Sequence, residues 1–444
     1  MPAVKPMNFR GTRDFLPEVM IARDQLLGTI KESFELFGFA PMETPAMEYM
    51  ETLSGKYGEE GEKLIYRLAY KGGSVLALRY DLTIPLARVV GQYPQIVKPF
   101  KRYQIQPVWR ADRPQIQQGR FREFVQCDVD IVGTDSPGAD AEILALTVSV
   151  LERLDIGSFT VRVNHRHLLS GLVEAAGFHH DSFPSVCRGL DKWDKIGPDG
   201  VREELLRSGL PPAPVDRLRG LVEGGADLGA RRRIRSFAGP VAETKDGPRG
   251  LAALTEIFDQ LEAYEIPEGR IALWPSLARG LDYYTGAIFE SVHDDLKHLG
   301  SLTGGGRYDD LIGIFSDEPV PATGTSIGIE RILSALEQTG RLASRASRTQ
   351  VFVSVFDESS IGASLRIAGR LRRAGIRTEV AYEAQKLKRQ FARADRLGIP
   401  LVVVQGPDEK DKGMVSVKRL ATGEQSEVAE EGIADLLAAM LAEG

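Results

Sequence analysis

The segment FKRYQIQPVWRADRPQIQQGRFREFVQCDVDIVG, residues 100–133, restricts the fold more than any other part of the chain. From residue 120 onward one parity carries Arg120, Arg122, Phe124, Gln126, Asp128 and Asp130, and the other carries Phe121, Glu123, Val125, Cys127, Val129 and Ile131. The preceding stretch repeats the pattern, with Arg102, Gln104, Gln106, Arg110 and Asp112 against Tyr103, Ile105, Pro107 and Trp109. Side chains alternate faces along a strand, so the pattern predicts a β-hairpin with its loop at 113–119, polar above and apolar beneath. A face that only meets water favours Lys, Glu and Thr. This one offers arginine forks, which bind phosphate bidentately, and Phe124, a flat surface on which a base can stack. The hairpin reads as a ligand platform.

The rest of the chain separates into segments of different character. At 444 residues it exceeds one ordinary core, so two or three domains are expected. Residues 1–166 open with a helix ending at Gly38, followed by short strands and the helix GADAEILALTVSVLERL. Residues 167–255 are helix-prone, charged and poor in apolar residues, which predicts an inserted, mobile helical module. Strand patterns return at 256–340. After the polar linker EQTGRLASRASRTQ, residues 349–444 alternate strands and helices as a compact α/β unit.

No apolar run is long enough to cross a bilayer and the N-terminus has no signal-peptide core, so a cytoplasmic location is expected, with no membrane partner. Cys127 and Cys187 suit a reducing compartment. With a net charge of −6, contact with nucleic acid must come from local patches. One such patch is residues 366–396, where ten Lys/Arg face three acids; Lys386, Lys388 and Arg389 lie within it. RRRIRS at 231–236 is balanced between a solvated helix face and an RNA contact. The HRH and HH runs at 165–167 and 179–180 lack a partner carboxylate or cysteine cluster at ligand spacing and read as surface or insertion-edge residues, with no metal site.

Further motifs carry a resemblance. The chain resembles the class II aminoacyl-tRNA synthetases. FELFGFAPMETP with Pro45 is similar to the first motif of that class, used at its dimer interface. Arg110, Asp112, Arg120 and Phe124 match the second, and GTSIGIERI with Arg331 matches the third. Asp112 stands where the class more often has Glu. RGLDYYTG and TGGGRYDDLIG resemble the two signatures of histidyl-tRNA synthetases.

That resemblance implies an α+β fold: an antiparallel sheet flanked by helices, with a helical insertion and a C-terminal α/β anticodon-binding domain. It implies L-histidine, histidine tRNA and ATP bound with Mg²⁺ as reactants, and a homodimer. The catalytic charges would be Arg279 and Arg110. Asp81 and Thr83 would hold the α-amino group, with Gln126, Asp130, Tyr283 and Tyr284 completing the histidine pocket. Arg110, Asp112, Arg120, Phe124 and Arg331 would bind ATP, Phe124 and Arg331 sandwiching the adenine. A neutral imidazole has one donor and one acceptor nitrogen, so a carboxylate and a tyrosine hydroxyl read both. Lys386, Lys388 and Arg389 would hold tRNA, and the RPQIQQG loop would meet its acceptor end. A regulatory subunit of ATP phosphoribosyltransferase shares this core but lacks the C-terminal domain and parts of the signatures, which this chain retains. A synthetase-like module of a stress kinase is disfavoured by the absence of kinase motifs.

Overall fold

In a computed structural model the described residues are 5–54, 63–116, 119–267, 269–280, 283–316, 318–342 and 345–442. They form two compact units. One comprises the described residues up to Arg13 and from Leu26 to Leu342; the other combines Asp14–Gln25 with those from 345 onward.

The first unit is built on an eight-stranded sheet. Its strands are β1 (Ala40–Pro41), β5 (Phe100–Trp109), β6 (Glu123–Val132), β7 (Phe159–His165), β8 (Ile271–Leu273), β9 (Ala287–His293), β10 (Ser301–Arg307) and β11 (Ala322–Ile327), in the order β1-β5-β6-β11-β10-β9-β7-β8. Only the outer pairs, β1 with β5 and β7 with β8, are parallel. The expected hairpin is the β5–β6 pair, in register from Phe100 opposite Val132 to Trp109 opposite Glu123, so its connection is longer than the expected 113–119. Its apolar parity, with Tyr103, Cys127 and Val129 buried, packs into the main core beside the helix Pro137–Arg153. A second cluster joins the helix Thr83–Gln92 to the small antiparallel sheet of β2 (Met47–Tyr49), β4 (Leu76–Leu78) and β3 (Tyr66–Leu68).

Helix α1 (Pro17–Leu36) ends as its sequence predicts. Gly38 takes φ +77°, Phe39 N donates to Phe34 O and Gly38 N to Glu35 O, which satisfies two terminal carbonyls.

Between β7 and β8 every regular element is helical, from Arg166 to Ala263. The expectation of a loosely packed module fails in one respect: Cys187, Leu190, Leu205, Leu218 and Ile234 lie in the same core as the sheet. Few apolar residues suffice because arginines also turn inward. Arg233 is buried and donates to Leu273 O and Val222 O, while Arg231 pairs at the surface with Asp259 and Glu262. RRRIRS is therefore half structural, with Arg232 and Arg235 exposed. Of the two expected places for the HRH run, surface or edge of the insertion, His165 takes the edge: it is buried at the end of β7, and its Nδ1 accepts from His167 N at the start of the helix Arg166–Ala175.

The second unit carries β12 (Val351–Val353), β13 (Thr378–Val380), β14 (Leu401–Val404), β15 (Met414–Arg419) and β16 (Gln425–Ala429) in the order β13-β12-β14-β15-β16. The first three are mutually parallel and the last two antiparallel. Helices Ile361–Arg373, Leu387–Arg396 and Ile433–Ala442 accompany them. Strand β16 has no sequence signature because QSEVA is an exposed edge with no alternating apolar residues.

Candidate active site

The polar parity of the hairpin continues across the sheet in two cross-strand rows. Arg102, Asp130, Gly324, Gly306, Ile288 and Asn164 lie opposite one another in turn on β5, β6, β11, β10, β9 and β7. Gln104, Asp128, Ser326, Gly304, Glu290 and Arg162 form the neighbouring row. This face does not meet bulk water: Arg102 and Gln104 are fully buried, and Gln126, Asp128 and Asp130 nearly so.

Glycines keep the rows low enough to hold a ligand. A Cβ at Gly324 would stand 2.0 Å from Asp130 Oδ1, and one at Gly306 would meet Ala287 O at 2.5 Å and the Tyr284 ring at 2.7 Å. A Cβ at Gly304 would meet nothing within 4 Å and would project into the cleft.

Above the rows lie two cavities of about 380 and 390 Å³. They share Arg110, Gln126, Arg279, Gly304 and Ser326, which form the neck of one continuous cleft. The inner cavity is lined by Asp81, Thr83, Asp128, Asp130, Tyr283 and Tyr284 as well as the neck residues. The outer one is lined by Asp112, Arg120, Phe124 and Arg331. All twelve residues expected for the amino acid and nucleotide line this cleft: five only the inner cavity, four only the outer one, and Arg110, Gln126 and Arg279 both.

The inner cavity is acidic. Asp130 is paired with Arg102 at 2.8 Å and accepts from the Tyr308 hydroxyl. Burial pushes the Asp128 carboxyl up to about 7, opposed by Arg102 and reinforced by Asp130. Burial likewise raises Asp81 to about 6, against the Ile84 backbone N–H and Arg110. The Tyr284 hydroxyl is held protonated by burial and by Asp130. Tyr283 stacks on Tyr308 at 5.3 Å and meets Tyr284 edge-on at 4.7 Å.

The neck and the outer cavity are cationic. Arg110 donates through Nε to Tyr80 O and lies 5.0 Å from the centre of the Phe124 ring. Arg279 donates to Ser301 Oγ at 2.7 Å and pairs with Glu290 at 2.9 Å. Glu290 also bonds Arg162, which pairs with Asp194 in the helical segment. Arg331 donates to Ser301 O, and burial, then Arg120 and Arg279, push its guanidinium down to about 10. Arginines this close favour an anionic ligand between them.

Arg102, Asp128, Glu290, Ser326 and Tyr308 escaped selection from sequence. Parity had placed Arg102 and Asp128 on the right face. Tyr308 and Glu290 sat inside or beside the signature strings, yet only the strand pairing brings them to the cleft. Among the described residues no group of three or more His, Cys, Asp or Glu could hold a metal ion. Residues 117 and 118 of the RPQIQQG loop lie outside the described residues.

In the second unit Lys386, Lys388 and Arg389 are exposed at the start of the helix Leu387–Arg396. Buried Gln390 ties this start to the end of β12: its amide accepts from Val355 N and donates to Val355 O and Gln385 O.

A sequence model of the family described as Histidyl-tRNA synthetase matches residues 11–332, and one described as Anticodon binding domain matches residues 350–440. The chain is 40% identical over 428 residues to the histidine–tRNA ligase of Rhodopirellula baltica, and 43% identical over 431 residues to that of Aeropyrum pernix, covering 96% of both chains in each case. The crystal structure of histidyl-tRNA synthetase from Nostoc sp. superposes with a TM-score of 0.88 at 30% identity, covering 99% of this chain and 100% of that one.

Proposed function

The chain belongs to the histidyl-tRNA synthetase family, and we infer that it joins L-histidine to histidine tRNA, using ATP and releasing AMP and pyrophosphate. The observation that carries this reading at the level of the site is the two-chambered cleft with Arg110 and Arg279 at its neck. Its inner chamber has the acidity to take an amino acid's ammonium group, and its outer chamber the cations and the aromatic ring to take a nucleotide. The reading as a regulatory subunit of ATP phosphoribosyltransferase is not favoured, because ligases are matched over nearly their whole length.

In this proposal histidine sits among Asp81, Thr83, Gln126, Asp130, Tyr283 and Tyr284, with its carboxylate at the neck. ATP lies over Asp112, Arg120, Phe124 and Arg331, with its α-phosphate also at the neck. The carboxylate attacks the α-phosphorus in line and pyrophosphate leaves; the terminal hydroxyl of the tRNA then attacks the mixed anhydride. Neither step needs a protein nucleophile. Two anions must be brought into contact and the charge growing on the phosphoryl oxygens neutralised, which is the work assigned to Arg110 and Arg279. Mg²⁺ would enter on the phosphates of ATP, as part of that substrate.

The segment 350–440 would hold the anticodon arm through Lys386, Lys388 and Arg389. A homodimer through the region of Pro45 is supported by the exposed Met47 and Tyr49 on β2, and a cytoplasmic location by where the substrates are. The division of labour follows: residues 1–166 and 256–340 catalyse, 167–255 form the insertion, and 349–444 bind the anticodon.

Histidine-dependent exchange of pyrophosphate into ATP tests the reading. Arg279→Ala should lower the exchange rate by about a hundredfold or more, the scale of one lost transition-state donor, with folding unchanged. Near-normal exchange in the variant would remove Arg279 from the chemistry.

A further inference from the structure

We propose that Asp128 is a direct ligand of the substrate's α-ammonium group, through its Oδ1 atom. This rests on the histidine-activating reading above and adds a residue to it.

Asp128 is 3% exposed and lines the inner cavity, and its Oδ1 is buried with no hydrogen-bond partner. Gln126 Oε1, beside it on β6, is in the same condition, and its amide donates to Ser326 Oγ. A buried acceptor left unmade costs about 1–3 kcal/mol, more when charged, so such atoms at the wall of a cavity mark where a donor is to arrive. Asp130, two residues along, also has an oxygen without a hydrogen bond, Oδ2, but that atom is in ion-pair contact with Arg102 at 2.8 Å and its Oδ1 accepts from the Tyr308 hydroxyl, so both oxygens already face a donor. It therefore organises the pocket floor, and Asp128 is the carboxylate with capacity to spare.

Position selects which donor arrives. Asp128 lies in the same cross-strand row as Ser326 and Gly304, which belong to the neck, whereas Asp130 lies one row deeper with Gly306. With the substrate carboxylate at the neck, the α-ammonium, on the adjacent carbon, falls at the row of Asp128. The imidazole reaches the deeper row, beside Tyr284. An ammonium has three N–H donors. Asp81 and Thr83 provide acceptors from one wall and Asp128 from the floor.

The charge balance agrees. The groups facing Asp128 are Arg102 on β5, Asp130 on its own strand, Ser326 on β11, Asp81 ahead of the helix Thr83–Gln92, and Tyr284 and Tyr308; Arg110 and Arg279 stand at the neck. Without substrate, Arg102 acts on all three carboxylates and Arg110 on Asp81, and burial still raises the Asp128 carboxyl to about 7. An arriving ammonium replaces its proton.

Calorimetric titration of the full-length protein at pH 7, in buffers of different ionisation enthalpy, reads this directly. Wild type should release protons on binding histidine, because burial raises the Asp128 carboxyl to about 7 and the ammonium favours its ionised form. In Asp128→Asn that release should fall, leaving the smaller share of Asp81 and of the ligand's imidazole, and histidine affinity should fall about 10- to 100-fold, the range for losing one charged hydrogen-bond partner. Imidazolepropionate, which lacks the amine, should bind wild type and variant alike. Undiminished histidine affinity or undiminished proton release in Asp128→Asn overturns the proposal, as does an equal loss for histidine and imidazolepropionate. A wild type that binds no histidine overturns the activity itself. Folding is checked by Tm, which should not fall in Asp128→Asn because the change relieves crowding of like charges, whereas Asp130→Asn, which leaves Arg102 without its carboxylate, should lower it. A fall in Tm for Asp128→Asn matching that for Asp130→Asn would give Asp128 the same structural role and overturn the proposal.

Discussion

Asp81, Asp128 and Asp130 surround a single buried arginine, and their different environments give them different consequences. All three have pKa values raised in the folded protein, chiefly through burial, Asp128 to about 7 and Asp81 to about 6. A carboxyl whose folded value lies above its unfolded one, near 4, contributes stability that is complete at low pH and is lost as pH rises through the folded value. The Tm of Asp128→Asn minus that of wild type should therefore be near zero below about pH 4, grow as pH rises to about 7 and level off above it; a difference that does not change with pH would show that Asp128 titrates normally. Tyr284→Phe, which removes a hydroxyl buried beside Asp130, should raise the KM for histidine about 10-fold or more while leaving that for ATP nearly unchanged, the scale of one buried hydrogen bond. Equal changes would place the hydroxyl elsewhere. At this scale the sequence was legible only in part. Parity sorted Gln126, Asp128 and Asp130 onto one face, but that Asp130 is the one consumed by Arg102 and Tyr308 depends on residues 28 and 178 positions away from it, beyond any local pattern.

Among the elements, β10 shows most clearly how one short string serves two purposes. Gly306 has no room for a side chain because Tyr284 and the Ala287 carbonyl close on it, whereas Gly304 has room but the room is the cleft. Gly306→Ala should lower Tm and activity together. Gly304→Ala should leave Tm within about a degree while raising the KM values for histidine and ATP, since one methyl narrows the neck both must reach. Parallel thermal melts and exchange assays separate the two, and a Gly304→Ala protein with unaltered KM would remove this residue from the neck. The hairpin, the first helix with its Gly38 cap and the parallel strands of the second unit were legible because each has a period or a terminal signal of its own. The buried role of Arg233 was not, since a run of arginines gives no indication of which one finds carbonyls beneath it.

At the level of the whole molecule, the stretch 366–396, with ten Lys/Arg against three acids, opposes the chain's net charge of −6. Replacing Lys386, Lys388 and Arg389 with Ala should leave histidine-dependent exchange unchanged but weaken tRNA binding, and should reduce the salt slope of that binding by about 2, given roughly 0.7 per phosphate contact on single-stranded nucleic acid. An unchanged slope would move the RNA to another face. The order of the segments along the chain was readable from composition, but the make-up of the second unit was not, because a linear boundary cannot register that Asp14–Gln25 belong with residues beyond 342 while the same helix, α1, continues from Leu26 in the first unit. That shared helix bears on how such proteins can be recombined. Exchanging everything after the polar linker for the corresponding part of a relative would mate the new piece with a foreign N-terminal segment, so Ile21 and Ala22, buried here, would meet a surface selected for other neighbours. A workable chimera has two crossover points, carrying the donor's first turns of α1 along with its C-terminal unit. By the same logic, substitutions in those two stretches should drift together among relatives even though more than three hundred residues separate them.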